Sequence, residues 1–159
     1  KYRMKNIKYT NYENKYFSQI VKFLEAMEPW KSDKMDIIYY HSIFGVDTGH
    51  KIKIAFIEDE LVGVIAWQSL KVYPYGGYIR ILAVLEACRC CGIGSGLLKI
   101  AEENIFNSLK NSFISVHEAN TIARNFYKRQ GYHEVGVLHD YVHKGQTMIM
   151  FRKTIGPVW

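Results

Sequence analysis

Between Tyr16 and Met27 the apolar residues Phe17, Ile20, Val21 and Leu24 recur at i, i+3, i+4 and i+7, the signature of one face of a helix. Pro29 stops it. In Lys31 to Gly49, Ile37 to Phe44 fits a short helix, and the flanking Asp and Gly residues read as loop. Lys51 to Glu58 alternates, with Ile52, Ile54 and Phe56 on one face, and Leu61 to Gln68 is rich in β-branched residues. The polar turn Glu58-Asp59-Glu60 between them predicts an antiparallel hairpin. After Pro74 and the pair Gly76-Gly77, Tyr78 to Leu85 is nearly continuous apolar, as in a central strand covered on both faces. Gly92 to Asn107 predicts a helix that buries Leu97, Leu98, Ala101, Ile105 and Phe106 and turns Lys99, Glu102 and Glu103 to water. Phe113 to Val116 reads as a short strand. Asn120 to Gln130 reads as a helix with Asn120 as N-cap and Gly131 as its stop. Tyr132 to Leu138 and Thr147 to Lys153 close the chain as strands. The expected architecture is a mixed α/β sheet with a β-α-β-α-β core. With no repeat, low-complexity stretch or linker, residues 1–159 are expected to form one domain.

Composition adds little to that picture and removes several alternatives. The chain is 48% hydrophobic and 23% charged, as in ordinary globular proteins. Its twelve tyrosines suggest a core and cleft lined with rings. No run of 18 apolar residues occurs, so no membrane-crossing helix is expected. The first thirty residues, studded with Lys, Glu and Asn, lack the apolar block of a secretory signal, which implies a cytoplasmic protein. The net charge of +6 attracts anions in general. Its Lys and Arg residues are scattered, which favours a solvated basic surface over nucleic-acid binding; a polyphosphate cofactor would benefit from the same field. The three cysteines, Cys88, Cys90 and Cys91, lie together, unlike a disulfide framework. C-x-C-C is also too tight to wrap a tetrahedral zinc ion. Reduced thiols in a turn, and no metal, are expected. Redox sensing by a thiolate near a helix N-terminus is the alternative.

The segment Arg89-Cys90-Cys91-Gly92-Ile93-Gly94-Ser95-Gly96 carries the chemistry. It joins the strand ending at Leu85 to the helix beginning near Gly94. A helix N-terminus exposes unpaired N–H groups and a partial positive charge. Glycines let a phosphate approach that backbone, and Arg89 adds a permanent, bidentate cation. A P-loop would end in Gly-Lys-Ser/Thr, and a dinucleotide fold would show G-x-G-x-x-G; here the spacing is G-x-G-x-G. A pyrophosphate cradle and an ordinary glycine-rich turn both remain open on this segment alone.

A second segment, Asn120-x-x-Ala123-x-x-Phe126-Tyr127-x-x-x-Gly131-Tyr132, follows downstream. Together with Leu82-Ala83-Val84 and Arg89-x-x-Gly92-x-Gly94, it resembles the Gcn5-related N-acetyltransferase superfamily. The likeness spans about Leu82 to Gly136. It implies that family's fold, a central, mixed and mostly antiparallel sheet with splayed middle strands flanked by helices. It further implies transfer of an acetyl group from acetyl-CoA to an amine by direct attack in a ternary complex.

By the same resemblance, the backbone of Leu82, Ala83 and Val84 would pair with the pantetheine arm and donate an N–H to the thioester carbonyl. Arg89, Cys90, Gly92, Ile93, Gly94, Ser95 and Gly96 would hold the pyrophosphate. Asn120 would contact the cofactor arm besides capping its helix. Tyr127 matches the tyrosine that protonates the departing thiolate. Family members often place a Glu base at two positions that here are Tyr78 and Ser115. Tyr78 could order a water instead; His117 and Glu118 are further base candidates, imidazole being the side-chain type whose reference value, about 6.5, suits a base near neutral pH. The acceptor is set by loops, with Glu28 to Lys34, Tyr73 to Tyr78 and His139 to His143 as cleft segments. Acidic Glu28, Asp33 and Asp36 would attract a cationic amine. The expected partners are acetyl-CoA and an amine (a small amine or polyamine, or a protein amine), with no nucleic acid or membrane; a homodimer is admitted. A non-catalytic acetyl-CoA-binding regulatory module is the rival class, and a basic nucleic-acid binder the third.

Overall fold

The computed structural model of the protein describes residues 6–70 and 75–159. Its strand order is β1-β2-β3-β4-β5-β7-β6. The chain divides into two compact units, residues 1–68 with 80–101, and residues 69–79 with 102–159. Strand β4 (Gly76–Val84) and helix α4 (Ile93–Phe106) each run from one into the other.

The first unit begins with a strand that periodicity did not reveal, β1 (Ile7–Asn11), antiparallel to β2 (Lys51–Ile57). Five residues with only partial burial leave too weak an alternation to read. The expected hairpin forms between β2 and β3 (Glu60–Leu70), closed by Glu58 and Asp59 with Glu58 at φ 56°. Helix α1 (Phe17–Glu25) buries Ile20, Val21 and Leu24 as its spacing predicts. It ends at Glu25, and Pro29 instead precedes a short helix, α2 (Trp30–Asp33). Helix α3 (Ile37–Phe44) is capped by Asp36, which accepts the Tyr39 N–H at 2.9 Å. Its Tyr40, Ile43 and Phe44 join Ile20 and Leu24, Ile54 of β2, Val64 and Ala66 of β3, and Ile81 and Ala83 of β4 in one core. Each fully buried Leu or Ile contributes roughly 1.5–3 kcal/mol relative to exposure. The first half of α4 inserts Ile93, Leu97, Leu98 and Ala101. Gly63 of β3 makes room for it, since a Cβ there would meet Leu97 at 3.0 Å.

In the second unit, β5 (Asn111–His117) is antiparallel to β7 (Thr147–Thr154) along its whole length, and β7 to β6 (His133–His139). Strands β4 and β5 are parallel, with pairing at Gly77↔Ser112 and Tyr78↔Phe113. The sheet is therefore mixed and mostly antiparallel. Gly76 and Gly77 belong to β4 rather than to a turn before it. The reason is space: a Cβ on Gly76 would meet the Phe113 ring at 2.7 Å, and one on Gly77 would meet Ile105 of α4. Helix α5 (Thr121–Arg129) packs Tyr127 onto Tyr132 and Phe151. Glu102, expected to face water, is turned inward and accepts from Lys153 Nζ at 2.7 Å. Phe106, expected in the buried stripe, is half-exposed. Among the described residues no helix is long and apolar enough to cross a membrane.

Candidate functional site

In the first unit β4 ends at Val84, and a single 3-10 turn, Glu86 to Cys88, leads into the Arg-and-glycine segment. Cys90 stands at φ 63° and Gly92 at φ 83°, both left-handed. That conformation costs a residue with a Cβ on the order of 1–2 kcal/mol and glycine almost nothing. A Cβ on Gly92 would meet nothing within 4 Å, so this glycine is there for its backbone angle, and the space around it is open. Gly96 is the opposite case. It is ordinary helix, but a Cβ on it would run into the Tyr9 hydroxyl from β1.

The Gly96 N–H donates to the Gly92 carbonyl at 2.9 Å, the first full turn of α4. Gly96 therefore contributes close approach, while the amides of Ile93 and Gly94 precede the intrahelical ladder, where first-turn donors look outward. Gly92 has no side chain to cap them. The Ile93 side chain is buried, so only its backbone is available to a ligand. Arg89 is exposed and lies 3.8 Å from Glu86, also exposed, a contact too weak to hold it from an anion. Leu82 and Val84 are half-buried, and Ala83 is buried. All three cysteines are free thiols; Cys90 and Cys91 are exposed, and burial pushes the Cys88 thiol up.

The second unit gathers most of the remaining predicted residues. The Tyr127 ring is buried, edge-on to Phe126 and Tyr132 at centroid distances of 5.1 and 5.6 Å. Burial, and secondarily the neighbouring Tyr78, push its hydroxyl well above the ordinary tyrosine range, so it keeps its proton. Tyr78 and Ser115, which stand where family members often carry a Glu, touch: their hydroxyls are 2.7 Å apart. Nothing in the sequence could announce this contact across 37 residues. His117 ends β5 half-buried, and Glu118 follows exposed, its carbonyl held by Arg124 at 3.0 Å. Asn120 caps α5, accepting the Ala123 N–H on Oδ1 at 3.0 Å.

Of the cleft segments named from sequence, Tyr73 and Pro74 lie outside the described residues. Asp36, exposed, is engaged as the α3 cap, Asp33 is buried, and Glu28 is exposed. In the third segment, Asp140 Oδ1 accepts the Gly145 N–H at 2.5 Å and Tyr141 is exposed. Among the described residues no group of three or more His, Cys, Asp or Glu gathers as a metal ion would require.

Residues 9–132 match the acetyltransferase (GNAT) family. An uncharacterized N-acetyltransferase of Methanocaldococcus jannaschii is 37% identical over 103 residues, covering 63% of this chain and 64% of that protein. A Sulfurisphaera tokodaii protein named N-alpha-acetyltransferase is 32% identical over 105 residues, covering 58% and 62%. The matches thus span less than two thirds of either relative. The crystal structure of Arabidopsis thaliana NAA60 in complex with acetyl-CoA superimposes with a TM-score of 0.79 over 94% of this chain and 99% of that one. At 15% identity that likeness shows the fold.

Proposed function

The chain belongs to the acetyltransferase (GNAT) family, and on that premise we propose that it transfers an acetyl group from acetyl-CoA to a primary amine. The observation that carries the reading is the turn before α4. Gly92 opens it at φ 83° with free space around it, α4 begins at Ile93 directly after it, and Arg89 stands exposed three residues earlier. That is a donor set for a diphosphate. The name of the Sulfurisphaera tokodaii relative supports a peptide α-amine among the acceptors.

Acetyl-CoA supplies an activated acyl group as a thioester. Arg89 and the first-turn amides of α4 hold its phosphates, and the backbone of Leu82 to Val84 pairs with its arm and donates to the thioester carbonyl. Tyr127 Oη gives a proton to the departing sulfur. Its raised pKa fits this duty. The phenol stays protonated through neutral and mildly alkaline pH, so no loss of activity from Tyr127 ionisation is expected below about pH 10. On the acceptor side, the Tyr78–Ser115 hydroxyl pair orders a water that takes the proton from the amine, in place of a carboxylate base.

Release of free thiol from acetyl-CoA, measured over a panel of N-terminal peptides, polyamines, amino sugars and Lys peptides, tests the reading. Amine-dependent release is expected. Calorimetric binding of acetyl-CoA with no turnover on any amine would instead identify a regulatory binding module. No binding at millimolar concentration would remove both readings.

A further inference from the structure

Strand β4 carries one charged side chain. Arg80 interrupts an otherwise uncharged strand and is its only exposed residue. An exposed guanidinium needs no carboxylate partner to be stable, so its charge is available to a ligand. Among the described residues Arg80 has no such partner. It is nevertheless held. Its guanidinium carbon lies 5.3 Å from the centroid of the Tyr39 ring, a cation–π contact. Tyr39 is itself fixed, its N–H bonded to the Asp36 cap and its ring edge-on to Tyr40 at 5.4 Å. A neutral imidazole lies within the field of the Arg80 charge. His50 is half-buried, with Nδ1 3.2 Å from Thr48 Oγ1, and burial and the Arg80 charge both lower its pKa. A guanidinium held against an aromatic wall, with no counter-charge among the described residues, matches a ligand carboxylate, which Arg binds through two parallel hydrogen bonds.

Arg80 precedes Leu82 by two residues, about 7 Å along a strand. In the function proposed above, Leu82 begins the backbone that meets the thioester. A carboxylate on Arg80 would then lie about one or two residues' length from the reacting amine.

We propose that Arg80, backed by Tyr39, is an acceptor-side anchor that selects primary amines bearing a nearby carboxylate. This rests on the acetyltransferase reading and adds the acceptor class. The carboxylate has two sources, an acidic side chain at the start of a peptide or the α-carboxylate of a free amino acid.

The test is kcat/KM with acetyl-CoA for two matched pairs. The first is a C-terminally amidated peptide beginning Met-Glu against the same peptide beginning Met-Gln; the second is a free amino acid against its amide. A preference of about tenfold or more for the carboxylate form is expected in one pair, and that pair identifies the source. Arg80→Met should bring the ratio to about one, through KM rather than kcat, with calorimetric affinity for acetyl-CoA reporting that the fold survives. Arg80→Lys should restore part of the preference. Ratios near one in both wild-type pairs, or a preference that survives Arg80→Met, would overturn the anchor while leaving the acetyltransferase reading intact. Absence of turnover on every amine, including the neutral ones, would overturn that reading and the anchor with it.

Discussion

Helices α4 and α5 start in opposite ways. Helix α5 opens with Asn120, whose side chain satisfies the Ala123 amide, and closes at Gly131 in the left-handed conformation, φ 87°. Its N-terminal donors are partly spent within the chain, and what it presents is a side chain, the buried and protonated Tyr127. Helix α4 opens after Gly92, which has no side chain to cap with and free space around it, and Arg89 is exposed three residues before. Helix α5 is capped from within the chain and holds a protonated phenol; in the function proposed above, α4 is completed by the phosphates of acetyl-CoA. On that proposal the same rule of helix ends, four orphan donors needing partners, serves stability in one place and binding in the other.

Three variants would break or sharpen that contrast. The largest effect is expected from Tyr127→Phe. Turnover should fall on the order of 100-fold while acetyl-CoA affinity changes little, because the acid is lost and the ring is kept; equal turnover would remove Tyr127 as the acid. Arg89→Glu should weaken acetyl-CoA binding on the order of 30-fold by calorimetry, with the melting temperature nearly unchanged, since Arg89 makes only a weak exposed contact in the protein. Unchanged affinity would refute the cradle. The smallest effect is expected from Asn120→Ala. Loss of the cap should cost about 1 kcal/mol in denaturant unfolding. An accompanying loss of acetyl-CoA affinity would show that Asn120 also reaches the cofactor, and the contrast between the helices would then narrow.

Where a residue's role is written in its neighbours along the chain, the sequence was enough. The Asn120 cap, the Gly131 stop, the buried stripe of α1, the hairpin and the Arg89–Gly96 turn are all local features, and each is found in place. What escaped was set by distant contacts. Strand β1 is recognisable only through its ladder to β2, some fifty residues later. Gly76 and Gly77 look like a turn until Phe113 and Ile105 are seen filling the space their side chains would take. Glu102 has the polarity of a surface residue and faces inward because Lys153 meets it there. The Tyr78–Ser115 contact has the same character: both residues were picked out as non-carboxylates, and only folding joins their hydroxyls.

The clash that a Cβ at Gly96 would make with Tyr9 has an evolutionary corollary. Positions 9 and 96 form a size-matched couple, so drift at one is conditional on the other. A side chain can be gained at 96 only where the β1 residue has first shrunk, and relatives with alanine or serine there are expected to have lost the tyrosine. The Arg-and-glycine turn therefore has a silent co-inheritor on a strand nearly ninety residues upstream.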